Sequence, residues 1–143
     1  MDNKADKVEN VNQTEKDNSK FNWVAERSSC SLPKVFQTLR AQVEEDVKTR
    51  NAQRPKNSPY EFAVQESGSD FTVLYVAKDV SRSVIFTLAK NGILVRDGEG
   101  NQMFEVTLTF TPDGECKLIV NEEQRDFWQV RRMALEELMF PRY

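Results

Sequence analysis

The chain has 143 residues, with 20 Lys and Arg against 23 Asp and Glu, a net charge of −3 and no histidine. That length suits one domain with a true core and is short for two, and the lack of a basic excess argues against nucleic acid or an anionic membrane surface as a partner. Without His, proton transfer near neutral pH and metal ligation lose their commonest side chain; with no phosphate loop or nucleophile elbow either, neither an enzyme nor a cofactor is expected.

Residues 1–20 are rich in Asp, Asn, Lys and Glu and carry no apolar run. They are expected to be a disordered polar tail, neither a signal peptide nor an anchor, ahead of one domain over 21–143. A cytoplasmic location follows as the expectation, since no later stretch approaches the 18 or so apolar residues of a membrane helix. Cys30 and Cys116 form no CxxC unit and read as reduced thiols, not as a zinc site or a disulfide framework.

The polar composition ends at Phe21, Trp23 and Val24. From Ser31, which suits an N-cap with Pro33 in the first turn, Leu32, Val35, Phe36, Leu39, Val43 and Val47 recur at helical spacing. This helix should fade near Asn51, ahead of Arg54-Pro55 and Ser58-Pro59.

Beyond Pro59 the period falls to two. Tyr60, Phe62 and Val64 make one strand, Ser67-Gly68-Ser69 a turn, and Phe71, Val73 and Tyr75 the next strand. Ser83 to Lys90 leads into Asn91-Gly92, which predicts a two-residue hairpin turn with φ > 0 at both positions. Ile93 to Arg96, the turn Asp97-Gly98-Glu99-Gly100-Asn101, a strand carrying Phe104, Val106, Leu108 and Phe110, the turn Pro112-Asp113-Gly114, and Cys116 to Val120 complete six antiparallel strands in a meander. Asn121 with Gln124 three residues on resembles a capping box and predicts a second helix over roughly 122–139. The expected fold class is therefore α+β, a six-stranded antiparallel sheet flanked by an N-terminal and a C-terminal helix.

Three constellations bear on function. The oxygen-rich turn Asp97 to Asn101 resembles the start of a calcium loop, but the sixth and twelfth positions are Gln102 and Leu108 where Gly and Glu are needed, so it reads as a hairpin connection. On the second helix Arg131 falls inside the apolar arc of Phe127, Trp128, Val130, Ala134, Leu135, Leu138 and Met139. A guanidinium there must meet a carboxylate, carbonyls or an anion, or run its head out to solvent, and Asp46 on the first helix is a candidate partner. The middle strands are apolar on both sides, so Leu74, Val76, Ile85 and Leu94 require a cover: a helix, the Phe21 to Val24 segment, or a second molecule.

Other polar groups read as solvated. Glu61, Glu105 and Asp70 alternate with core residues, and Arg132 and Glu136 form an i,i+4 pair. A curled meander closed by a C-terminal helix resembles, in topology, a helix-grip domain, which implies a pocket for an apolar small molecule, although such domains begin with a strand and this chain with a helix. Two functions are thus expected from the sequence. The first is a non-catalytic protein-interaction module, acting through a protein partner or a homodimer over the face of Leu74, Val76, Ile85 and Leu94. The second is a carrier or sensor of a small apolar or amphipathic anionic ligand, held between sheet and helix by Phe104, Phe110, Trp128 and Leu135 with Arg131 on its head group.

Overall fold

A computed structural model describes residues 20–141. The expected disordered tail therefore lies, but for Lys20, outside the described residues. The elements run α1 (Trp23–Ser29), α2 (Leu32–Ala52), β1 (Tyr60–Ser67), β2 (Asp70–Ala77), β3 (Ser81–Leu88), β4 (Ile93–Asp97), β5 (Gln102–Phe110), β6 (Cys116–Val120), β7 (Glu123–Arg125) and α3 (Phe127–Met139). The architecture is α+β, a single antiparallel meander in which every strand pairs with its neighbours in sequence, β1 to β7 in order.

Helix α2 follows its sequence pattern closely. The Ser31 hydroxyl accepts from the Lys34 N–H at 3.4 Å, Pro33 stands in the first turn, and Val35, Phe36, Leu39, Val43 and Val47 are buried along one stripe. These side chains meet the inward set of the strands, Phe62, Phe71, Val73, Val84, Phe86, Ile93, Val95, Phe104, Val106, Leu118 and Val120, in one continuous core. The buried face of α3, Val130, Ala134, Leu135, Leu138 and Met139, enters the same core. Both long helices therefore lie on one face of the sheet.

The structure differs from the sequence expectation at four places. A short helix, α1, precedes α2; the Asn22 side chain caps it by accepting from the Ala25 N–H at 3.0 Å, and with seven residues and none buried it offers no periodicity to read. The connection at Asn91-Gly92 is a hairpin of four residues, since Leu88 pairs with Ile93, and neither Asn91 nor Gly92 has a positive φ. Gly92 is needed for proximity to β5: a Cβ there would stand 2.9 Å from the Val106 carbonyl oxygen.

The second helix begins later than expected because Asn121 and Glu122 adopt φ of 52° and 68° and form a two-residue turn between Val120 and Glu123. Positive φ at both central positions matches the right-handed twist of a hairpin. Residues 123–125 thus become a seventh strand, and the helix starts after Asp126, whose N–H donates to Gln129 Oε1 at 2.8 Å in the reverse half of a capping box. Finally, Cys30 and Cys116 are not free thiols but a disulfide, which ties the α1–α2 junction to β6. Cys116 is the partner of Phe110 at the end of the β5–β6 ladder, which brings it to Cys30 as α2 starts across the sheet.

A bridge spanning 86 positions restricts the unfolded chain strongly, by about 4 kcal/mol or more on the chain-entropy view, with measured values typically about 2–4 kcal/mol. Replacing both cysteines (Cys30→Ser with Cys116→Ser) is expected to lower unfolding stability by about 2–4 kcal/mol, read as a lower urea midpoint in the absence of reductant.

Candidate functional site

Arg131 is the charged group that the sequence aims at the core, and its side chain is 19% exposed. Its Nε donates to Asp46 Oδ2 at 2.6 Å and its Nη1 to Gln42 Oε1 at 2.7 Å. Gln42 and Asp46 are one helical turn apart on α2, so a single planar guanidinium engages two acceptors on the facing helix. The expected Asp46–Arg131 pair is formed. With two acceptors in place, Arg131 holds α3 to α2.

Beside this pair the two helices leave an open groove of about 390 Å³, lined by Arg50, Trp128, Arg131, Leu135, Met139 and Phe140 among others. Trp128 and Phe140 stand 52% and 57% exposed at its ends. Arg50 is committed inside the protein, donating to the Met139 carbonyl at 2.9 Å and lying over the rings of Phe62 and Phe140. Arg132 is likewise joined to Glu136 at 2.8 Å.

Of the residues expected to hold a ligand, the structure brings Trp128, Arg131 and Leu135 to this groove and leaves Phe104 and Phe110 outside it. Phe104 is buried in the core opposite Val95. Phe110 sits at the far end of β5 beside Cys116, with the Arg27 guanidinium 5.9 Å from its ring centre. The five residues do not enclose one pocket, because α3 rests directly on the sheet through Val130, Ala134 and Leu138.

Among the described residues, the opposite face of the sheet carries no helix. Leu74, Ile85 and Leu94 are half-buried by their own strand neighbours and Val76 is 39% exposed, with no helix over them. Strand register sets Ala63, Leu74 and Ser83 in one row across the strands, Gln65, Thr72, Ile85, Arg96 and Gln102 in a second, and Thr87, Leu94 and Glu105 in a third. Cover by one of the long helices, one of the possibilities left open by the sequence, is not what the fold does.

The β1 edge, in contrast, is occupied at Phe62 and Tyr60. Phe62 turns both backbone groups to the open side of β1, and the Asn51 side chain occupies them: Nδ2 donates to the Phe62 carbonyl at 2.8 Å and Oδ1 accepts from its N–H at 2.9 Å. Arg54 donates to the Tyr60 carbonyl on the same edge. One carboxamide thus supplies the donor and acceptor that an added strand would supply. At the other edge β7 has only three residues.

The turn with calcium-like spacing is held by its own carboxylate. Asp97 Oδ1 accepts from the backbone N–H of Glu99 at 2.9 Å and of Asn101 at 3.0 Å, and Gly100 completes the bend with φ of 89°. These N–H groups, that of Asn101 foremost, hold the Asp97 carboxyl below its ordinary range. No cluster of three or more possible metal ligands occurs among the described residues.

Comparison with protein-family models, with characterised proteins and with solved structures finds no match for this chain.

Two measurements test these local readings. Because the Arg131 pair is part-exposed, its contribution is expected near 1 kcal/mol, below that of a fully buried pair. Arg131→Met should therefore destabilise by about 1–2 kcal/mol, and Asp46→Asn should cost markedly less in the Arg131→Met background than alone; equal costs in a urea double-mutant cycle would refute the coupling. For Asp97, a depressed folded pKa means stability that is present above the unfolded value of about 3.9 and lost as pH falls through the folded value. Its carboxyl resonance should accordingly titrate below that of a model peptide, and Asp97→Asn should flatten this part of the stability–pH curve.

Proposed function

We propose that this protein is a non-catalytic interaction module whose working surface is the face of the β-sheet opposite α2 and α3. The observation that carries the reading is the one-sided stacking of α2 and α3, which leaves Leu74, Val76, Ile85 and Leu94 without a helix over them among the described residues. Leu74, Val76, Ile85 and Leu94 form a cluster of apolar side chains among polar ones on that face, and such a patch is a usual mark of a protein interface. Strand addition at β1 would have to displace Asn51, which favours the face over that edge.

The carrier reading has less behind it. Its five residues are split between core, groove and strand end, and Arg131 already has two acceptors. Among the described residues no helix is long and apolar enough to cross a membrane. The Cys30–Cys116 bridge favours an oxidising compartment as the working location over the cytoplasm expected from the sequence.

Substituting Leu74→Lys together with Ile85→Lys tests the surface without disturbing the core, because both side chains point away from it. Stability should change by no more than about 1 kcal/mol. In extract of the producing cells, the fluorescently labelled wild-type chain should sediment faster than the purified variant and the variant should sediment as an isolated chain. Equal sedimentation of the two in extract would remove the proposal.

A further inference from the structure

The uncovered sheet face carries two opposite charges that form no ion pair among the described residues. Arg96 lies at the centre of the face; its Nη2 donates to Thr87 Oγ1 at 3.0 Å, while its Nε is buried without an acceptor. Glu105 is opposite Leu94 on the next strand, half-buried, and makes no ion pair among the described residues. Leu94, two positions from Arg96, stands between them in the row that Glu105 shares. A cation and an anion on one face, neither of them in an ion pair among the described residues, match the requirement of a twofold interface, where residue i meets residue j of the second molecule and j meets i.

The size of the face agrees. Seven strands about 4.8 Å apart, of three to nine residues at about 3.3 Å each, span roughly 600 Å². Two such faces remove about 1,200 Å² from water, the lower bound of a stable, specific interface. The rows hold Ala63, Leu74, Ile85 and Leu94 with Thr72, Thr87 and Ser83, and the longer Gln65, Gln102, Arg96 and Glu105 stand among them.

We infer that the occupant of the face is a second copy of this chain, docked sheet to sheet about a twofold axis near Leu94, with Arg96 of each copy paired to Glu105 of the other. This rests on the reading of the sheet face as the working surface and names its partner. A half-buried guanidinium and carboxylate joined across such an interface contribute to affinity and fix the mutual orientation of the two sheets.

Purified full chain, kept oxidised, is the material for the test, with mass read by sedimentation equilibrium. Wild type at about 100 μM should show twice the chain mass of 16.6 kDa. Glu105→Arg alone and Arg96→Glu alone should each weaken the dimer by about tenfold or more, because each sets like charges face to face in both contacts. Mixed in equal amounts, the two variants should recover the dimer mass, since one copy then carries both cations and the other both anions. Only a reciprocal contact between copies gives that rescue.

A monomeric wild type, a dimer indifferent to either substitution, or a mixture that stays monomeric would each overturn the inference. Should Arg96→Glu fail to fold, Leu94→Lys at the axis reads the same interface, and an unchanged dimer mass would again overturn it. The two levels fail separately: a monomeric purified chain, with the Leu74→Lys and Ile85→Lys effect in extract intact, removes the second copy and leaves the sheet face as the site for another protein.

Discussion

Phe71 and Phe86 stack on adjacent strands with ring centres 4.5 Å apart, and Phe36 of α2 tilts onto Phe71 at 5.1 Å. This three-ring contact decides the rest of the molecule. Large aromatic side chains bury the most area per residue and pack with specific geometry, so the face that presents Phe71 and Phe86 attracts the helix that presents Phe36. Once α2 has taken that face, α3 completes the same layer, and the other face is left to solvent or to a partner.

Two helices on one sheet still need a fixed mutual position, and Arg131 provides it through Asp46 and Gln42. An apolar contact between the helices would be satisfied at several offsets; a planar guanidinium with two acceptors one turn apart is satisfied at one. Partial exposure keeps the desolvation cost of the pair low, which makes it a device for orientation more than for stability. The groove lies beside this pair, with polar residues of α2 (Asp46, Thr49, Arg50) facing Trp128, Leu135, Met139 and Phe140.

The same economy governs the borders of the sheet. Asn51, at the last turn of α2, satisfies Phe62 on the β1 edge, and the disulfide holds the start of the helix layer to β6 near the opposite side. The helix that covers the core thus also seals one edge and is anchored across the sheet. Strand addition at β1 would have to displace Asn51, whereas among the described residues the uncovered face offers Leu74, Ile85 and Leu94 together with Arg96 and Glu105, neither of which is in an ion pair.

The sequence by itself determined the meander, α2 and its buried stripe, and the Asp97 turn as a hairpin connection, because each rests on local periodicity or on contacts within five residues. It also singled out Arg131 and Asp46, since a charge inside an apolar arc violates the pattern and must be answered somewhere. Tertiary structure decided the rest. The β7 strand and the start of α3 depended on pairing with β6: Asn121 with Gln124 and Asp126 with Gln129 offer the same capping pattern five residues apart, and only the ladder to Leu118–Val120 excludes the first. The disulfide joins positions with no sequence signal between them, and becomes possible only when β6 and the α1–α2 junction meet. Which face the helices take was not legible either, because β2 and β3 are apolar on both sides; Phe71 and Phe86 settle it through their packing with Phe36, and a contact between distant segments is a property of the fold and not of any window of sequence.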